Sequence, residues 1–300
     1  MFSGQGSQYP LMGLDFINLE SNKNKIKTAN QILGFDVKKA LKNINGELEQ
    51  TKYVQPLMVL VSMLIYDEFK KNHHIDGLTG FSLGEYTALY AAGIYDFETT
   101  LKLVKKRSEL MEEASINYPG KMAAVLNFDL EKLNKIVNKI NNDNDKIVTI
   151  ANYNSKKQFV ISGNEMGINE TIKLLKEENV RRIIPLNVSG GFHSKLMYKP
   201  SEKLYEYLIT LTKTKNKIPI YMNTTADKLI FEKLENELQR QMYSSVYFYQ
   251  SIEKMIKDGY NTFIEIGPGK VLSNLVKRNY NNINVYNIEY YNDLKKWEEI

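Results

Sequence analysis

One serine stands between two glycines in "GFSLG", Gly80 to Gly84, and the G-x-S-x-G spacing suits nucleophilic catalysis. A strand before the serine, a helix after it and glycines two residues either side form a strained turn that exposes the hydroxyl. The N-terminus of the following helix also stabilises negative charge near Ser82. The flanks fit: Ile75 to Phe81 is apolar and strand-like, and Ser82 to Ala92 reads as helix. The competing reading is a small serine in a buried turn, so a partner must be found elsewhere in the chain.

A serine at neutral pH needs a base, usually histidine. The chain has three: His73, His74 and His193. The first two precede the strand that delivers Ser82. At about 3.3 Å per residue, that strand carries the serine to the other end of the sheet, so both are expected to be exposed loop residues. His193, in "NVSGGFHSKLM", follows a Gly-Gly turn and is left as catalytic base or structural histidine. No carboxylate with a local signature completes a triad. The requirement is an acceptor at Nδ1, which a backbone or amide oxygen can meet. Arg107 is the remaining informative residue, because lysines outnumber arginines 35 to 5. A lone arginine in that background suggests bidentate recognition. It sits at the edge of the stripe Phe97, Leu101, Val104 and Met111, where a surface ion pair with Glu112 is the alternative.

These residues must be positioned by a recognisable set of elements. Leu57 to Phe69 is a helix candidate, and Asp96 reads as the N-cap of another helix through Ala114. "NTFIEIGPGKVLSNLVKR" repeats the strand, tight turn, helix grammar, with a strand at Thr262 to Ile266 and a helix from Lys270. That grammar, used twice, predicts an open parallel sheet with its loops gathered at one edge. Between these stretches the pattern is different. Strand-like Lys121 to Leu126, helical Asp129 to Ile140, strands at Ile147 to Asn152 and Gln158 to Ser162, a helix at Glu165 to Glu178 and a strand at Arg181 to Val188 follow in order. This β-α-β-β-α-β sequence is that of a ferredoxin-like subdomain. The expected fold class is α/β: a large parallel-sheet, α/β-hydrolase-like catalytic domain (1–119 and 189–300) with a ferredoxin-like subdomain inserted at 120–188.

Composition narrows the function classes. Three hundred residues with 43% hydrophobic content can bury a real core. The longest apolar run, Pro56 to Tyr66, is too short to span a bilayer, and no membrane partner is expected. Without cysteine there is no disulfide, thiolate catalysis or cysteine zinc site, and no metal site is expected. The net charge of +5 accompanies 35 Lys and 31 Asn against 10 Ala, the skew that AT-rich codons produce. The lysines are scattered rather than striped with aromatics, so nucleic acid is not expected either. A mildly positive surface suits an acidic protein partner. "MFSGQGSQ" opens on a glycine-rich turn with no room for a strand to feed it, so an upstream segment, and any targeting peptide with it, is expected to be missing.

Taken together, these residues resemble the malonyl-CoA:acyl carrier protein transacylase family of type II fatty acid synthesis. The blocks run in family order along nearly the whole chain: "GQGSQ" (Gly4 to Gln8), "GFSLGEY" (Gly80 to Tyr86), "KKRSELM" (Lys105 to Met111), "GKMAAV" (Gly120 to Val125), "NYNS" (Asn152 to Ser155), "GFHSKLM" (Gly191 to Met197), "RQMY" (Arg240 to Tyr243) and "IGPGKVL" (Ile266 to Leu272). The resemblance implies that Ser82 carries the acyl group, His193 is the base and the main-chain carbonyl of Gln241 orients it. It implies that the backbone N–H groups of Gln5 and Leu83 form the oxyanion hole and that Arg107 grips the malonyl carboxylate. It implies substrate contacts from Phe192, Asn152 and Asn154, and carrier-protein contacts from Lys277 and Arg278. The partners implied are malonyl-CoA, itself a substrate, and acyl carrier protein, with no resident cofactor.

The sequence departs from the family in three places: Phe81 precedes the serine where a polar residue, often histidine, is usual, Ser3 replaces a proline, and the strand before "SGQGSQ" is absent. A hydrolase could use the same serine and histidine, but a carboxylate clamp at Arg107 has no use for a neutral acyl chain. A catalytically silent carrier-binding protein would lack one of the pair. A monomer is expected. The composition suits a plastid-type organelle (apicoplast or chloroplast) of an AT-rich eukaryote, with the bacterial cytoplasm as the alternative.

Overall fold

The computed structural model describes residues 1–298. Its eight strands are β1 (Leu78–Thr79), β2 (Gly120–Leu126), β3 (Val148–Ser155), β4 (Gln158–Asn164), β5 (Ile183–Pro185), β6 (Ile220–Tyr221), β7 (Thr262–Ile266) and β8 (Asn284–Ile288). The class is α/β. β1 pairs in parallel with β6, and β7 in parallel with β8. Phe2 joins the two pairs, bridging in parallel to both Gly80 and Ile266. The spatial order is thus β6, β1, Phe2, β7, β8. Met1 and Phe2 occupy the central position, where the sequence reading expects no strand.

Around this sheet lies the main core. The Thr51–Phe69 helix buries 16 of its 19 residues, as expected of a helix that is apolar on every side. It begins six residues before the expected Leu57, with Pro56 inside its second turn. Pro56 cannot bond the Lys52 carbonyl, and that oxygen lies 3.5 Å from the Ser108 hydroxyl, which donates at 2.8 Å to the Lys105 carbonyl. Asp96 caps the Phe97–Asn117 helix by accepting from the Thr99 N–H, and this helix runs three residues beyond the expected Ala114.

Residues 120–188 form the second sheet, antiparallel in the order β3-β4-β2-β5. Period-two alternation divides its faces. Ala123, Val125, Phe159 and Ile161 pack with Leu133, Ile136, Ile168 and Leu175 from the helices Leu130–Ile140 and Glu165–Glu177. Met122, Ala124 and Val160, on the opposite face, turn toward the main core and line a cavity there. One edge strand is shorter than the sequence suggests, since Arg181 to Val188 contributes only β5, and the other is longer, since β3 runs on past Asn152 to Ser155. No helix of the described residues is long and apolar enough to cross a membrane.

Candidate active site

Ser82 follows β1 and precedes the Gly84–Ala91 helix, at φ 50°. The flanking glycines are there for space. A Cβ on Gly80 would lie 2.0 Å from the Gly84 carbonyl carbon, and one on Gly84 would lie 2.1 Å from the Phe2 oxygen. Asn223, just after β6, holds the turn by accepting from the Ser82 N–H (2.7 Å) and donating to the Gly80 carbonyl (2.7 Å).

His193 lies 2.7 Å from Ser82, Nε2 to Oγ, and it too has a left-handed backbone, φ 57°. Its Nδ1 is 2.7 Å from the Gln241 carbonyl oxygen, which can only accept. Nδ1 therefore carries the proton, and the neutral ring presents the Nε2 lone pair to the serine. The carbonyl is available for a structural reason. Gln241 lies in the last turn of the Leu234–Tyr243 helix, where carbonyls have no intrahelical partner. The next orphan, Met242 O, accepts the His193 N–H (3.1 Å). A helix C-terminus, which carries partial negative charge, thus stands where a triad carboxylate would. Burial, aided by the nearby Arg107 charge, lowers the His193 pKa to about 4, so the imidazole is neutral at pH 7.

Arg107 is 1% exposed, not at a surface edge. Glu112, the alternative ion-pair partner, accepts from the Thr51 N–H instead (3.0 Å). The guanidinium lies over the Tyr86 ring, 5.1 Å from its centroid. Nη1 donates to Gln55 Oε1 (2.7 Å) and Nη2 to Gln241 Oε1 (3.3 Å), while Nε is buried with no partner. No carboxylate of the described residues pairs with it. Burial pulls its pKa down, with Tyr86 and Glu85 pulling the other way.

A cavity of about 240 Å³ brings these groups together. Its wall includes Gln5, Ser82, Leu83, Arg107, Phe192 and His193, together with Asn152 and Asn154 of β3. A register irregularity after Ile150 sets that stretch of β3. Asn154 Oδ1 is buried without a partner. The backbone N–H groups of Gln5 and Leu83 have no acceptor among the described residues, and Leu83 is the N-cap of the helix after the serine. Phe81 is half-buried in the same wall, its ring edge-on to Phe248 at 5.5 Å. Lys277 and Arg278 are outside the cavity, exposed in the last turn of the Val271–Asn279 helix whose first residues line it. His74 is exposed, 3.2 Å from Asp76. His73 differs from expectation: it is half-buried and stacked on Phe69 at 4.5 Å. Both lie away from the cavity.

Three polar residues of the site were not anticipated. Gln55 interrupts the apolar run of its helix, Glu85 follows the serine by three positions, and Asn223 follows β6. The first two carried a signal, since each is a polar residue in an otherwise buried helical stretch. Glu85 is completely buried, and burial raises its pKa to about 8 against the pull of N–H donors from Asn223 and Gln241. Chemically, the site can deprotonate a hydroxyl, present two N–H donors beside it and bind an anion at one end.

Comparison with known proteins gives matches along nearly the whole chain. The acyl transferase domain family matches residues 1–296. The malonyl CoA-acyl carrier protein transacylase of Staphylococcus aureus (strain MSSA476) is 36% identical over 302 residues, covering 100% of this chain and 97% of that protein. The protein of the same name from Bacillus subtilis (strain 168) is 39% identical, covering 93% of this chain and 89% of its own length. The crystal structure of MCAT from Streptococcus pneumoniae superposes with a TM-score of 0.94 at 38% identity, covering 100% of this chain and 98% of that one. With the site assembled and the match running end to end, the chain belongs to the malonyl CoA-acyl carrier protein transacylase family.

Proposed function

We propose that the protein moves a malonyl group from malonyl-CoA to the phosphopantetheine thiol of acyl carrier protein, supplying fatty acid elongation. The observation that carries this is Arg107: a buried guanidinium without a carboxylate partner, in the same cavity as the serine and histidine. A buried charge left unpaired costs several kcal/mol, and a substrate carboxylate offsets that cost. Three of its five N–H donors are uncommitted, enough for a bidentate grip.

Ser82 Oγ gives its proton to His193 Nε2 and attacks the thioester carbonyl. The oxyanion takes N–H donors from Gln5 and Leu83, each typically contributing on the order of 10² to 10³ in rate. On collapse the C–S bond breaks and His193 returns the proton to the CoA sulfur, leaving malonyl ester on Ser82. The carrier thiol then gives its proton to Nε2 and attacks the ester, and Ser82 leaves with that proton. The Gln241 carbonyl steadies the imidazolium in both halves. The malonyl carboxylate on Arg107 cancels the charge that disfavours that imidazolium.

Asn152, Asn154 and Phe192 contact the substrate in this reading, and Asn154 Oδ1 suits an amide N–H of the pantetheine arm. Exposed Lys277 and Arg278 suit an acidic carrier. Residues 120–188 act as a ferredoxin-like subdomain inserted between the two parts (1–119 and 189–300) of an α/β-hydrolase-like catalytic domain, a division supported by the strand order of the second sheet. No resident cofactor or metal enters the scheme, and a monomer suffices because one chain supplies every group named. The bacterial relatives favour the bacterial cytoplasm over a plastid-type organelle as the place of work.

The test is CoA release from malonyl-CoA with and without holo-carrier protein. Transfer predicts one equivalent without carrier and continuous release with it. Continuous release without carrier identifies a hydrolase and rejects the reading.

A further inference from the structure

The Gln241 side chain touches the serine turn and the arginine while its own backbone carbonyl holds the histidine. Nε2 donates to the Ser82 carbonyl (2.9 Å) and to Glu85 Oε2 (2.6 Å), and Oε1 accepts from Arg107 Nη2 (3.3 Å). Only one orientation of the amide satisfies all three contacts. Reversed, its oxygen would face two acceptors and its NH₂ would face a guanidinium that can only donate. We propose that Glu85 is a positioning residue that locks the Gln241 amide and thereby aims Arg107 at the malonyl carboxylate, setting selectivity for malonyl over uncharged acyl groups. This rests on the transfer reading above.

Glu85 is suited to that task because, once ionised above its raised pKa of about 8, it offers each of its oxygens to a different donor. Oε1 accepts from the Asn223 N–H (2.6 Å), and Oε2 takes the Gln241 amide. Asn223 is itself the residue that holds the Ser82 turn. Glu85 is the second residue of the helix that starts beside the serine, so its place is fixed by the same element. A glutamine at 85 has a single oxygen. With that oxygen on the Asn223 N–H, its NH₂ meets the Gln241 NH₂, and the clash is relieved only by reversing the Gln241 amide. Reversal sets NH₂ against Arg107 and oxygen against the Ser82 carbonyl. His193 keeps its partner, because the backbone carbonyl of Gln241 does not depend on the amide.

The experiment measures, at a pH above 8 where Glu85 is ionised, kcat/KM for malonyl-CoA and for acetyl-CoA loading in wild type, Glu85→Gln, Gln241→Met and the double variant. Glu85→Gln is expected to lower the malonyl-to-acetyl ratio about tenfold, chiefly through a raised malonyl-CoA KM, the scale of one hydrogen bond to a charged group. Gln241→Met removes the amide and keeps the carbonyl, so it should lower the ratio similarly. The double variant should match Gln241→Met within about twofold, because Glu85 acts through the amide that is already gone. Losses that multiply in the double variant, or a Glu85→Gln or Gln241→Met ratio equal to wild type, overturn the inference. Gln241→Met decides the matter alone if Glu85→Gln does not fold. A wild type that takes up no malonyl rejects the transfer reading instead.

Discussion

Ser82 Oγ and His193 Nε2 meet at 2.7 Å although both residues hold left-handed backbones, φ 50° and 57°. Such a conformation costs a non-glycine residue roughly 1–2 kcal/mol, and the surroundings hold it in place. On the serine side the restraint is close backbone packing at Gly80 and Gly84; on the histidine side it is the C-terminus of the Leu234–Tyr243 helix. Gly84→Ala should therefore destabilise the fold by about 1–3 kcal/mol, since the new Cβ would meet the Phe2 carbonyl oxygen at 2.1 Å. Urea denaturation measures this as a lower midpoint with an unchanged slope. An unchanged midpoint would mean that the turn relaxes freely.

Arg107→Ala should lower kcat/KM for malonyl loading by a factor of about 10² or more, the scale of losing charge-assisted hydrogen bonds. Acetyl loading should persist or rise, because a buried charge has been removed from the cavity. Parallel loading assays with the two thioesters check it. Equal losses for both would show that Arg107 supports the structure and not the substrate.

The pH dependence follows from His193. Its folded pKa of about 4 lies below the ordinary 6.5, so the unfolded chain binds the proton where the native protein does not. Stability from the neutral histidine is complete above about 6.5 and is lost as pH falls through the window to about 4. The free enzyme's kcat/KM for acylation should likewise hold through pH 5 and fall only near 4. In Arg107→Ala the limb should move upward, because a positive neighbour that lowers the pKa is gone. Single-turnover acylation against pH reads both, and an acid limb near 6.5 in wild type would contradict the buried geometry.

Asn154→Ala removes a buried acceptor that has no protein partner. It should weaken both half-reactions by up to about tenfold and leave the malonyl-to-acetyl ratio unchanged. Steady-state KM values for malonyl-CoA and holo-carrier protein test this. A changed ratio would place Asn154 near the acyl end.

What the sequence could and could not reveal follows from how local each feature is. The elbow glycines, the Asp96 cap and the alternation in β2 and β4 depend on neighbours a few residues away, and they were legible. The burial of Arg107 was not. Its own helix places it at the edge of the apolar stripe, and the cover comes from Gln55, Tyr86 and Gln241, distant in sequence. Glu85 interrupts a buried helical stretch, but what it does there depends on Asn223 and Gln241, distant in sequence. The histidine's acceptor was implied by the family resemblance, and the helix C-terminus gives the physical reason for it. Phe81, which departs from that family, packs on Phe248 at the cavity wall, so an apolar ring is accommodated without displacing any group of the site.

The most direct test is intact-protein mass spectrometry after brief exposure to malonyl-CoA, followed by peptide mapping. The account predicts one added malonyl group on the peptide containing Ser82, absent in Ser82→Ala and discharged by holo-carrier protein. In His193→Ala it should form slower by about 10⁴ or more, the scale of losing a nucleophile's base. An adduct at another residue, or one that forms as fast in Ser82→Ala, would contradict it.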